Sequence, residues 1–214
     1  MKKYILKSIF ILTLGATALT SCTSDNDYET PMFRTPFYVQ NFDELNLGDF
    51  QGEGYINKNL LMQDRKWKVA THGNQTLRYL SFTSYTNNSA TPATNDNSWF
   101  ILPGVNVSAQ SNIVLNFDII QGYPTNSFPL KVMYSTDFDG NEENISNATW
   151  TVLNINYNFN TNQGYSDAYT VKTINIPNTT SSNADVYVAF NYIGSNQGNG
   201  STTTIQLDNI KLSK

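Results

Sequence analysis

Cysteine and histidine are almost missing from this chain: Cys22 and His72 are the only ones. With one thiol, no disulfide can form within the chain, so core packing or a bound metal has to hold the fold. A Ser-His-Asp arrangement would have to pass through His72. That residue sits in Thr71-His72-Gly73-Asn74, a turn signal, and reads as an exposed loop histidine rather than a general base. Zinc sites of the usual kind need clustered nitrogen and sulfur ligands, which these counts exclude. Charge is scarce as well, at 14% of residues. Setting aside Lys2, Lys3 and Lys7 of the first segment leaves ten basic residues against 17 acidic, a net charge near −7. That balance argues against nucleic acid and against an anionic membrane surface, since both require basic patches. Long stretches of helical period are absent beyond the N-terminal segment.

The N-terminal segment is an address. Lys2, Lys3 and Lys7 form a positive region, and Ile5 to Leu19 is an apolar run too short for a comfortable membrane span. It ends at Leu19-Thr20-Ser21-Cys22, which resembles a bacterial lipobox, where cleavage falls just before a diacylated cysteine. Residues 1–21 therefore read as a lipoprotein signal peptide, Cys22 as the lipidation site, and residues 22–35 as a flexible tether. Asp25, Asp27 and Glu29 follow the cysteine closely. Such an acidic cluster resembles the export signal of Bacteroidetes lipoproteins. It implies an outer-membrane protein facing the cell exterior, bound to the membrane only through its lipid.

Residues 36–214 are long enough for one substantial domain, and no internal repeat or interdomain linker is visible. Short runs of β-forming residues recur between Asn, Gly, Ser, Thr and Pro clusters. The candidates are 37–42, 66–70, 77–82, 99–102, 113–120, 130–135, 149–155, 169–176, 185–193 and 203–212. About ten strands with turn signals between them predict an all-β, two-sheet antiparallel sandwich. Ile113, Leu115, Phe117 and Ile119 alternate with polar neighbours, as do Val186, Val188, Phe190 and Tyr192. In the last strand Ile205 and Leu207 are in phase, but Ile210 and Leu212 have changed parity. A period-two strand changes phase through a bulge or a change of exposed face, and the break falls at Asp208-Asn209.

Several landmarks line up in order: Phe42-Asp43-Glu44, Ser98-Trp99-Phe100-Ile101-Leu102-Pro103, Leu130–Tyr134 running into Ser135-Thr136-Asp137, and the final Ile205–Ile210. Together they resemble the choice-of-anchor J, or cleaved-adhesin-like, domains, relatives of MAM domains. Leu102 stands where that family usually has Ser. The resemblance spans about residues 36–213 and implies a galactose-binding-like jelly roll with long loops. It also implies a structural Ca²⁺ joining the N-terminal strand to the C-terminal one, held by Glu44 and Asp208 with Asp43 as a further ligand. An inward-turned Asp208 carboxylate would account for the parity break; a bulge capped by that carboxylate would account for it too. Asp137-Phe138-Asp139-Gly140-Asn141 has the wrong residues for an EF-hand at its sixth and twelfth positions, Glu142 and Ala148, and reads as a hairpin turn.

Sugar recognition needs exposed aromatic faces beside polar hydrogen-bonding groups. The aromatic content is 13%, and Tyr123, Phe128, Tyr157, Phe159 and Tyr165 fall in predicted loops. Of these, Tyr123, Tyr157, Phe159 and Tyr165 are the candidate ligand-binding residues. Trp99 and Trp150 read as core, while Trp67 fits either face. The function these features favour is a non-catalytic binding or adhesion module for carbohydrate. A module docking a cell-surface or host protein is the alternative. No carboxylate pair is singled out for hydrolysis, so an enzyme is the least favoured reading.

Overall fold

The computed structural model describes residues 34–72, 77–87, 94–107, 113–159, 164–166, 168–177 and 185–214. The signal segment, Cys22 and most of the tether lie outside the described residues. The β structure belongs to a unit spanning Thr35–Lys214.

Among the described residues the strands form two antiparallel sheets. In the seven-stranded sheet the order is β11 (Thr170–Asn175), β8 (Val114–Gly122), β13 (Thr204–Ser213), β5 (Arg78–Phe82), β4 (Lys68–Thr71) and β2 (Gly48–Asp49), with β1 (Pro36–Gln40) also beside β13. In the six-stranded sheet it is β10 (Thr151–Leu153), β9 (Leu130–Ser135), β12 (Asp185–Ser195), β6 (Asn95–Ile101) and β3 (Ile56–Asn59), with β7 (Val105–Asn106) on the end of β12. The fold is the two-sheet sandwich that the strand pattern predicts and the jelly roll that the family resemblance implies.

Alternation along each strand sends one set of side chains between the sheets. From the first sheet these are Leu115, Phe117 and Ile119, Leu80 and Phe82, and Ile205, Leu207, Ile210 and Leu212; from the second, Val132, Val188, Phe190, Tyr192 and Phe100. Phe117 and Phe190 meet edge to face at 5.2 Å across the interface, and such pairs add about 1 kcal/mol beyond burial. Trp67 is fully buried in this core against Phe82 and Tyr192, which settles its face.

The parity change in β13 is a bulge. Asp208 pairs with Asp118 and Lys211 with Asn116, so two β13 residues oppose the single residue Phe117. Asn209 occupies the left-handed region with φ of 50°, which Asn tolerates better than most residues. At the same place β13 changes neighbour, from β5 through Leu207 to β1 from Ile210 onward.

Three strands escape a hydrophobic-pattern reading: β2, β3 and β7. The inward positions of β3 are Asn57 and Asn59, which pair with Phe100 and Ser98. Asn57 donates to the Phe50 and Trp67 carbonyls at 3.1 and 2.8 Å and accepts from the Trp67 N–H at 2.9 Å. Asn59 donates to the buried Asp96 at 2.7 Å. β6 likewise starts ahead of the candidate strand 99–102, in an Asn- and Thr-rich stretch, because its first residues pair with the far end of β12.

Candidate functional site

The outward positions of the seven-stranded sheet form a polar, aromatic-rich face. Register places Asp118 of β8 beside Asp208 of β13 and Val171 of β11, Ile120 beside Gln206, Gln206 beside Ser81 of β5, and Tyr79 beside Ala70 of β4. Tyr79 and Gln206 face outward yet are only 8% and 5% exposed, so this part of the face is covered.

Tyr165 supplies part of the cover. Its backbone bridges Gly122 at the sheet edge, and the bridge is fixed by Tyr123 N–H to Gly164 O at 2.7 Å and Ser166 N–H to Gln121 O at 2.9 Å. The Tyr165 ring then lies over Gly122, where an added Cβ would stand 2.3 Å from a ring carbon, so only glycine fits beneath it. The ring meets Tyr123 edge-on at 5.2 Å and His72 at 6.3 Å. Tyr123 and Tyr165 are themselves 56% and 40% exposed. Tyr123 has φ of 48°, a bulky residue held in the left-handed region. That conformation costs on the order of 1–3 kcal/mol and collects at functional loops.

Carboxylates border these rings. Burial raises the Tyr169 hydroxyl above its ordinary pKa, and the nearby charges of Asp208 and Asp118 add to the effect. Asp208 is pushed up to about 6, first by burial and then by the Asp43 and Asp118 charges, against the Asn209 N–H and Lys211, which lower it. Asp208 accepts from the Asn209 N–H at 2.7 Å, Asp118 from the Asn209 amide at 2.8 Å, and Asp43 from the Arg78 N–H at 3.1 Å.

Of the predicted site residues, the fold brings Tyr123 and Tyr165 together on this face. Tyr157 and Phe159 gather around Phe128, and the Tyr157 hydroxyl reaches Ser166 and the Gln121 backbone, the residues next to Tyr165 and Gly122. Tyr157 stacks on Phe128 at 4.7 Å, Phe159 lies 5.9 Å from Phe128, and Lys172 Nζ sits 5.2 Å from the Tyr157 ring centre. Both rings are half-buried, and burial raises the Tyr157 hydroxyl pKa. Tyr79, Tyr169, Asp118 and Gln206 were missed. Tyr79, Asp118 and Gln206 each lie one strand position from a core residue, so parity signals them; Tyr169, between exposed Ala168 and Thr170, has no such neighbour.

Glu44 is exposed, and Asp208 stays on the outward face, where its carboxylate caps the bulge. Among the described residues no three Asp, Glu, His or Cys side chains gather to hold a metal. The structural Ca²⁺ on Glu44, Asp208 and Asp43 rests on the family resemblance alone, and of these residues Asp43 lies close enough to Asp208 for its charge to be felt there.

The outer face of the six-stranded sheet differs. Trp99, Ile101, Met133 and Ala189 are roofed there by Phe138 and Ile145, with Trp150 and Tyr187 packed alongside. The roof is the β9–β10 connection, which holds a 3₁₀ turn at Glu142–Asn144, so the Asp-Gly segment is no tight hairpin.

The fold defines an all-β, two-sheet antiparallel jelly roll. It is similar to two solved domains of Lys-gingipain from Porphyromonas gingivalis W83. The K1 cleaved adhesin domain matches with TM-score 0.53 and 14% identity over 82% of this chain and 96% of that one. The K3 cleaved adhesin domain matches with TM-score 0.54 and 16% identity over 83% and 98%. At such identities the likeness is one of fold. No curated protein matches the chain. Residues 104–214, just over half of the sequence, match the family described as Domain of unknown function (DUF5017), and the chain belongs to that family.

Proposed function

We propose that this protein is a non-catalytic binding module that takes carbohydrate on the outer face of its seven-stranded sheet. In this reading it is held at the exterior of the outer membrane by a lipid on Cys22, as a choice-of-anchor J type domain. The observation that carries the reading is the pairing of exposed Tyr165 and Tyr123 rings over Gly122. Asp118 and Asp208 lie farther along the same face, four strand positions from Gly122 and Thr204. Ring faces accept the C–H surfaces of a sugar while carboxylates and amides pair with its hydroxyls. Asp118 and Asp208 stand side by side on one sheet rather than opposed across a cleft, which favours binding over glycoside hydrolysis.

Protein docking is the second reading, and it fits the adhesin name carried by the gingipain domains. Exposed Val171 and Leu77, at 66% and 64%, favour it by extending the tyrosine patch with apolar surface. Affinity electrophoresis of the full chain through a panel of neutral and acidic polysaccharides, with calcium or with chelator, separates the two. Glycan binding predicts retardation by one class, lost in Tyr165→Ala. No retardation by any class contradicts it and favours a protein partner.

A further inference from the structure

We infer that the groove between β4 and β5 is a subsite for an anionic group, a carboxylate or a sulfate ester, carried by the glycan. The inference rests on the proposed carbohydrate reading and names the class of sugar that the face selects.

Lys66 and Lys68 alternate outward against the inward Trp67 and Val69, and Ser81 and Thr83 face outward from β5. With Arg65 and Tyr85 they line an open groove of about 370 Å³, within the roughly 300–1,000 Å³ of small-ligand sites. Arg65 is a fixed wall. Its Nε donates to both Asp96 oxygens at 3.0 and 3.2 Å, and its Nη2 donates to the Thr83 carbonyl at 2.6 Å. Asp96 is fully buried and also accepts from Ser84 Oγ at 2.6 Å and Asn59 Nδ2 at 2.7 Å. A paired and hydrogen-bonded buried charge of this kind is fully committed, so Arg65 and Asp96 cancel and stay in place.

The two ammonium groups are not committed. Lys66 makes no hydrogen bond or ion pair among the described residues. Lys68 lies 3.6 Å from Asp49, but both are well exposed, and such a pair contributes little. Asp64 also lines the groove and is exposed. In a chain of net charge −4, these two adjacent outward lysines concentrate positive charge on this part of the face, and Lys66 has no partner among the described residues. Tyr85, 60% exposed, stands at the rim as a stacking surface. The groove also continues into the tyrosine face, because Ser81 pairs with Gln206 and Ala70 with Tyr79. The Asp118 and Asp208 carboxylates lie on strands two or three away from β4, about 10–14 Å at the usual strand spacing, where salt screens them from the bound anion.

The test compares the full chain with Lys66→Gln/Lys68→Gln on four probes: polygalacturonate and its methyl ester, dextran sulfate and dextran. Both lysines are exposed, so the variant keeps its fold, checked by an unchanged melting temperature. The expected result is that one anionic probe binds more tightly than its neutral partner. The double substitution then weakens that probe about tenfold, about 1.4 kcal/mol, and leaves the neutral partner within about twofold. Which of the two anionic probes responds distinguishes carboxylate from sulfate. Equal binding of charged and neutral partners, or an unchanged affinity in the double variant, overturns the subsite while leaving glycan binding intact. Retention of none of the four overturns both.

Discussion

On the outer face of the six-stranded sheet, Trp99 and Ile101 disappear under Phe138, Ile145 and Trp150, with Trp99 and Trp150 5.1 Å apart. On the outer face of the seven-stranded sheet the corresponding positions hold Asp118, Asp208, Gln206 and Tyr79, and what covers them is a set of tyrosines that keep their own faces in water. Both faces are aromatic, yet the physical economy differs. Rings that bury one another stabilise the fold. Rings that stay wet, with a strained backbone at Tyr123 and like charges placed side by side, contribute little to stability and are suited to meeting a ligand.

The contrast is broken most severely at the roof. Ile145→Ala removes a side chain that is 1% exposed and should cost about 3 kcal/mol in urea unfolding. The fraction that remains folded should bind ligand as before. On the other face Tyr165→Ala should do the reverse, with affinity falling about tenfold and stability changing by less than about 1 kcal/mol.

A third expected outcome concerns pH. Asp208 is pushed up to about 6, above the ordinary 3.8, so folding favours its protonated form. That contribution is fully present below about pH 4 and is lost as pH rises through 6. Asp208→Asn keeps the acceptor for the Asn209 N–H and removes the charge. After discounting for solvent screening, it should stabilise the protein by about 1 kcal/mol at pH 7.5 and by almost nothing at pH 4. Thermal melts across this range would show a flatter profile for the variant; an unchanged profile would remove Asp208 as the source. The smallest effect is expected for Tyr123→Asn. It relieves the left-handed strain, so the melting temperature should rise slightly, by less than about 1 kcal/mol in stability, while affinity falls about threefold.

How much of this was legible in the sequence depended on whether inward positions were apolar. β8 and β12 declare themselves through Phe117 and Phe190 and their neighbours, and β9 is found to the residue. β3 stays hidden because Asn57 and Asn59 face inward and are satisfied by long-range partners, Trp67 and Asp96, that no local pattern reports. The β13 bulge was visible as a parity change at Asp208-Asn209, but its cause was not. The carboxylate remains outside and the backbone makes the adjustment. At the site, loop position and residue type picked out Tyr123 and Tyr165 correctly as neighbours. The same criteria grouped Tyr157 and Phe159 with them, and those two pack around Phe128, with the Tyr157 hydroxyl reaching Ser166 beside Tyr165. Burial of an aromatic in a loop depends on which rings the fold brings near, and that is tertiary information.

Hydrogen exchange of the full chain, with and without a saturating retained polysaccharide, tests the central assignment most directly. The account predicts added protection in β4, β5, β8 and β13 and at residues 164–166, with residues 136–150 unchanged. Protection confined to residues 136–150, or none on the seven-stranded sheet, would contradict it.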